Sequence, residues 1–299
     1  MNTAAKLSAY GAALALVAGG GWATGTAVGP FSGQAEVHGG EEAAHGDVHG
    51  GTVAEAANHQ PGGLASAADG YTLTPADTTL TPGATTKFTF EITGPDGAAV
   101  TAYDVEHEKR MHFIVVRRDT AGYQHLHPEL GADGTWTVPV TVADAGSYRA
   151  FADFTPSGGE GQTLGVDLVA PGVFQPVEHR ESRVADVGGY RVRLDGDLVP
   201  GRSSRLTATV AEGGRDVTDL QPYLGAYGHL VALRGGDLGY LHVHPDGAPG
   251  DGRTSAGPAA TFFAEVPSAG TYRLFLDFRH GDVVRTAEFT VTTGEGDQP

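Results

Sequence analysis

The stretch Asp144-Ala145-Gly146-Ser147-Tyr148-Arg149 returns later in the chain as Ala269-Gly270-Thr271-Tyr272-Arg273. Both copies resemble the tyrosine corner that opens strand F of an immunoglobulin-like sandwich, where the ring enters the core and the hydroxyl is tied to backbone. Each tyrosine is therefore expected to be structural, and each copy to mark one sandwich.

Working outward, the repetition extends over most of the chain. Leu80-Thr81-Pro82-Gly83 matches Leu198-Val199-Pro200-Gly201, and Met111-His112-Phe113-Ile114-Val115-Val116-Arg117 matches Gly228-His229-Leu230-Val231-Ala232-Leu233-Arg234. Tyr123-Gln124-His125-Leu126-His127-Pro128 matches Tyr240-Leu241-His242-Val243-His244-Pro245, and Asp153-Phe154 matches Asp277-Phe278. Between the matching segments lie short apolar, β-branched runs broken by Gly, Pro and Asp, with no amphipathic helical period. Phe88-Thr89-Phe90-Glu91-Ile92 alternates with the period of a half-buried strand. The expected fold is all-β: two tandem immunoglobulin-like β-sandwiches over residues 71–172 and 188–294, joined by a linker over 173–187.

With Tyr148 opening strand F, the run from Met111 reads as strand C and the run from Tyr123 as strand C′, a hairpin turning at Asp119-Thr120-Ala121-Gly122. His125 and His127, two residues apart on a strand, share a face about 6.5 Å apart. His112 is expected opposite or diagonal to His127, roughly 5 Å away. Alternation sends Met111 to the other face. His112, His125, His127 and Asp153 then lie on one sheet, and His229, His242, His244 and Asp277 repeat them. His107 and Asp104 are optional additions in the first copy, since the second has Leu224 and Gln221 there. Three imidazoles with an optional carboxylate or water suit Cu2+, Zn2+ or Ni2+, with copper favoured over zinc by the affinity order and by the oxidising compartment expected. The competing reading is a structural one, with the imidazoles bonded to neighbouring carbonyls or to Asp153.

Composition narrows the classes. The 36 acidic and 19 basic side chains leave a formal charge of −17, which repels phosphate backbones and argues against nucleic acid. There is no cysteine, so disulfides, thiolate metal sites and a Cys nucleophile are all excluded. His107-Glu108-Lys109-Arg110-Met111-His112 only approximates the zinc-protease H-E-x-x-H: the second histidine is one residue too late and the context is extended. No catalytic constellation emerges, and the chain reads as a non-enzyme.

The N-terminus carries a different signal. Lys6 precedes an apolar run from about Leu7 to Val28, long enough to span a bilayer. No Lys or Arg follows until Lys87, so the remainder is expected outside the membrane. Residues 1–30 thus read as a transmembrane helix, with a cleaved signal peptide as the alternative. Residues 31–70 read as a disordered, His-rich tether with His38, His45, His49 and His59 beside acids.

The His112, His125, His127 and His229, His242, His244 sets, each ending in H-x-H-Pro, resemble those of actinobacterial membrane-anchored exported proteins with modules of the YtkA type. The resemblance covers about residues 1–30 and 71–294 and implies metal handling, presumed to be copper. Two functions are therefore expected. One is an extracytoplasmic metal-binding protein for buffering, delivery or sensing. The other is an Ig-like surface interaction or spacer module with a protein partner and no metal.

Overall fold

The computed structural model describes residues 60–241 and 243–293. The expected membrane helix, residues 31–59 of the tether and His242 lie outside the described residues, whereas residues 60–70, read as disordered tether, are ordered: they carry the short strand Ala67–Ala68 and are tied by backbone hydrogen bonds to Thr163 and Tyr240. Among the described residues there is no helix, and none long and apolar enough to cross a membrane. The described residues form one compact unit that contains both repeats.

Each repeat is a pair of antiparallel sheets, as expected of an Ig-like sandwich. In the first, β1 (Ala67–Ala68), β2 (Tyr71–Pro75), β3 (Thr85–Thr93), β7 (Thr135–Thr141) and β6 (Glu129–Leu130) make one sheet in the order β1-β2-β3-β7-β6. The other is ordered β5-β4-β8-β9 and consists of β5 (Gln124–Leu126), β4 (His112–Arg117), β8 (Gly146–Phe154) and β9 (Gln162–Ala170). The second repeat has the same plan. One sheet runs β10 (Val184–Val187), β11 (Tyr190–Asp195), β12 (Ser203–Glu212), β17 (Ala259–Glu265), β16 (Val243–Pro245), with β13 (Arg215–Asp216) beside β12. Its partner runs β15 (Tyr240–Leu241), β14 (His229–Arg234), β18 (Thr271–His280), β19 (Val283–Thr292). Strand β10 extends into the stretch read as linker.

The tyrosine corners form in both copies. Tyr148 Oη donates to the Asp144 carbonyl at 2.8 Å, and Tyr272 Oη to the Ser268 carbonyl at 2.7 Å. Both rings are buried in their sandwich cores, around Phe90, Phe113 and Trp136 in the first and Phe262, Phe278 and Phe289 in the second. Met111 faces the first core, away from the histidines.

A third core lies between the sandwiches. Strand β4 is buried at every position, and so is the middle of β14. Strand alternation explains how: Phe113 and Val115 point into their own sandwich, whereas Ile114 and Val116 point outward and meet Val231, Leu233 and Phe275 of the other repeat. Tyr123 stacks on Phe275 with centroids 3.9 Å apart and rings within 4° of parallel, and Phe151 meets Tyr240 at 5.7 Å. The two C′CFG-type sheets therefore pack outer face to outer face. Each aliphatic or aromatic side chain so covered contributes about 1.5–3 kcal/mol relative to exposure.

Two arginines on this seam are buried and fully engaged. Arg149 donates Nε to the Gly63 carbonyl at 2.8 Å and Nη1 to Asp167 at 2.8 Å. Arg273 reaches across to Thr120 Oγ1 at 3.1 Å and holds Thr290 and Glu288 on its own sheet. Residues 62 and 63 form a strap over the seam: Gly63 N donates to the Thr163 carbonyl, and the Tyr240 N donates to the Gly62 carbonyl.

Candidate metal centre

The face that carries Ile114 and Val116 also carries the histidines. In the β4–β5 hairpin Ile114 pairs with His125 and Phe113 with Leu126. Continued by one step, this register sets His112 opposite His127, as the sequence predicts. His112 pairs with Asp153 on β8, and His229 with Asp277 on β18. Both rows end at the same end of the seam, so docking the sheets brings the two repeats' histidines together.

Side-chain geometry joins them directly. His112 Nδ1 lies 3.0 Å from His125 Nε2, and His112 Nε2 lies 3.2 Å from the Glu106 carbonyl oxygen. On its far side His125 Nδ1 meets Asp277 Oδ2 of the second repeat at 2.8 Å. Asp277 is only 2% exposed, and its other oxygen accepts from Thr286 Oγ1 at 2.6 Å. The His112 and His229 rings stack across the seam with centroids 5.3 Å apart, and His125 and His229 lie 4.8 Å apart. Two triads have ligand atoms all within 4.8 Å of one another: His112, His125, His127, and His125, His229, Asp277.

The Glu106 carbonyl can only accept, so His112 Nε2 carries a proton and donates to it. The Asp277 carboxylate accepts from Thr286 and from His125 Nδ1–H. With the outer nitrogen of each ring used as a donor, a further proton makes the contact between His112 Nδ1 and His125 Nε2 a hydrogen bond, and without one the two nitrogens present lone pairs to each other. Two lone pairs 3.0 Å apart repel unless a proton or a metal cation lies between them. Nitrogens bound to a common ion at about 2.0–2.1 Å stand roughly 3 Å apart, so the spacing fits shared ligation.

The remaining rings supply further donors. His127 Nε2 and His229 Nδ1 are buried with no hydrogen-bond partner among the described residues. Burial, reinforced by His125, His112 and Lys109, pushes His127 down to about 3. Burial, then the neighbouring histidines, holds His229 well below its ordinary value. Both rings are therefore neutral near pH 7, the state a metal ligand needs. A void of about 20 Å³ lined by His112, His229, Glu106, His107 and Tyr240 has room for one water-sized particle.

Not every expected ligand joins. Asp153 accepts from Thr163 Oγ1 at 2.7 Å and from the Tyr240 hydroxyl across the seam at 3.4 Å, and belongs to neither triad. His244 is a correction. In the first repeat the chain leaves the C-type sheet only after Leu126, so His127 sits in the crossover beside the seam. In the second it crosses earlier, and His244 is already on β16, paired with Phe263 in the opposite sheet and exposed. His107, by contrast, lies 6.0 Å from His112 and 5.7 Å from His229, ring to ring. It sits in a tight turn closed by reciprocal Glu106 and Lys109 backbone bonds of 2.9 Å, with His107 and Glu108 at φ of 47° and 66°.

A family model for a domain of unknown function, DUF8832, matches residues 66–170 and again 185–295, well over half of the chain. The chain belongs to the DUF8832 family. The DUF8832 description carries no activity, and the YtkA-type resemblance and its presumed copper link gain nothing from it. No curated protein matches the sequence. Among solved structures the DUF8832 tandem is similar to FdeC, an Escherichia coli adhesin, at 13% identity and a TM-score of 0.25, over 76% of this chain and 65% of that one. Invasin, a bacterial integrin-binding protein, matches at 13% identity and TM-score 0.23 over 77% of this chain and 41% of its own. A putative membrane anchored protein from Corynebacterium diphtheriae matches at 10% identity and TM-score 0.23, over 78% and 60%. The chain thus spans less than two thirds of each of these proteins, and at such scores they carry no argument about function.

Proposed function

We propose that this DUF8832 protein is a non-catalytic, extracytoplasmic binder of a divalent transition metal, copper favoured over zinc, for buffering, delivery or sensing. The observation that carries the reading is the facing pair His112 Nδ1 and His125 Nε2, 3.0 Å apart, each with its other nitrogen committed as a donor. His127 completes the triad with a buried nitrogen that has no hydrogen-bond partner among the described residues. All-imidazole donors suit copper and zinc better than calcium or magnesium, and the affinity order favours copper. Extracytoplasmic placement rests on the N-terminal apolar run and its single leading lysine.

The test is a Cu(II) and Zn(II) titration of the full chain with the tether silenced by His38→Asn, His45→Asn, His49→Asn and His59→Asn. The reading expects saturable binding at micromolar affinity or tighter, abolished by His112→Ala with His127→Ala. Binding that is unchanged by those two substitutions contradicts it.

The second reading is an Ig-like surface interaction or spacer module without metal. The sandwich architecture hosts many such roles. Proteins of similar fold include an adhesin, an integrin-binding protein and a putative membrane anchored protein. This reading expects no metal dependence at all, and a partner recovered by crosslinking at the cell surface.

A further inference from the structure

We infer that the centre is composite: the second repeat completes the first repeat's triad, so one ion is held across the seam and fastens the two sandwiches together. This rests on the metal reading above and adds its architecture.

Two observations from the second repeat carry it. His229 brings a largely buried Nδ1 with no hydrogen-bond partner among the described residues to the end of the seam where His112 and His125 lie. A side chain in that state costs stability unless something occupies its lone pair. The first repeat offers three imidazoles, and a three-imidazole zinc site leaves its fourth position to water or to a further donor; His229, grouped with His125 and Asp277 in the second triad, is the further imidazole that the second repeat supplies there. Asp277, in turn, fixes the tautomer of His125: its carboxylate takes the Nδ1 proton and leaves Nε2 facing His112. A carboxylate behind a ligating histidine raises the ring's basicity and orients it. Here that carboxylate belongs to the other domain, making Asp277 a positioning residue.

The asymmetry between repeats agrees with one shared centre in place of one per repeat. His127 stays at the seam, while its counterpart His244 lies on the opposite sheet. The turn that places His107 over the cluster recurs in the second copy, but only the first carries a histidine in it. The second copy closes the same turn with Leu224-Gly225, and Leu224 is buried.

The experiment compares the tether-silenced full chain with its His229→Gln and Asp277→Asn variants, using Cu(II) affinity, native-mass stoichiometry and the nitrogen count from Cu(II) electron paramagnetic resonance. A composite centre gives one tightly held ion with four nitrogen donors. His229→Gln removes one nitrogen from that count. Asp277→Asn keeps the count but weakens binding about 10- to 100-fold, as loss of such a support does. Unfolding curves in EDTA verify that each variant folds; if His229→Gln does not, the parent's nitrogen count and Asp277→Asn decide. Affinity and nitrogen count unchanged in both variants, with binding still abolished by His112→Ala and His127→Ala, overturns the composite centre and leaves the metal reading standing. Two independent ions per chain overturns it as well. No binding by the parent chain overturns both.

Discussion

His125 of the first repeat and Asp277 of the second are 152 residues apart in sequence and 2.8 Å apart in space. Both side chains are 2% exposed, so this is a desolvated bond between domains. The carboxylate also takes a bond from Thr286. Asp277→Ala would strand two buried donors at once. The expected cost to the metal-free protein is about 2–4 kcal/mol, with Thr286→Val nearer 1 kcal/mol. Urea unfolding in EDTA measures both, and equal small losses would show that the pair is not coupled.

The seam's apolar half should decide whether the two sandwiches unfold together. Phe275→Ala removes the ring on which Tyr123 stacks and opens a cavity among fully buried neighbours. The expected loss is about 3–5 kcal/mol. Because the loss falls on the interface, calorimetry should show the single transition of the parent splitting into two. A single transition that merely shifts downward would place Phe275 within one domain's own cooperative unit.

The strap over the seam has no room for a side chain. A Cβ on Gly63 would fall 2.3 Å from Phe151 Cδ1, at a backbone φ of +73°. Gly63→Ala should therefore release the Arg149 and Thr163 bonds to this residue. Limited proteolysis should cut near residues 60–66 far faster in the variant than in the parent, with the sandwiches left intact. Equal cutting rates would mean that the strap is already open in the parent.

The turn at His107-Glu108 holds two non-glycine residues in the left-handed region, which costs roughly 1–2 kcal/mol each. Glu108 is exposed and its counterpart is Gly225. Glu108→Gly should stabilise the metal-free chain by about 1 kcal/mol, read by chemical unfolding. A destabilising result would mean that the Glu108 side chain contributes something beyond the turn.

How much of this is legible from sequence depends on the range of the contact. The tyrosine corners, the duplication and the hairpin that opposes His112 to His127 are all local, and the pattern of a few consecutive residues reveals them. Docking of the two sheets is not local, and no spacing connects His125 to Asp277. Its trace is nonetheless present. Phe113-Ile114-Val115-Val116 and Leu230-Val231-Ala232-Leu233 are apolar on both faces, whereas a strand with one face in water alternates. Read that way, each run requires a second partner layer. The fate of His244 is not legible in the same manner, because both repeats share the H-x-H-Pro motif and yet place its last histidine differently.

Acid should loosen the metal-free protein by a route that runs through the cluster. In the folded chain burial holds His127 at about 3 and His229 well below its ordinary value. An unfolded histidine titrates near 6.5. Between those values the unfolded state binds protons that the folded state refuses, so stability falls as pH drops from about 6.5 toward 3. Replacing both rings by His127→Gln and His229→Gln should flatten that slope between pH 6 and 4 in EDTA. An unchanged slope would assign the acid sensitivity to the carboxylates instead.

The central claim is that a metal ion sits between two facing imidazole nitrogens at the seam. Anomalous diffraction at the copper edge, from crystals of the copper-loaded chain, tests it most directly. A peak is expected about 2.0–2.1 Å from both His112 Nδ1 and His125 Nε2, with His127 and His229 turned toward it. Copper found only at exposed histidines such as His244, with the seam pair 3.0 Å apart and no peak between them, would contradict it.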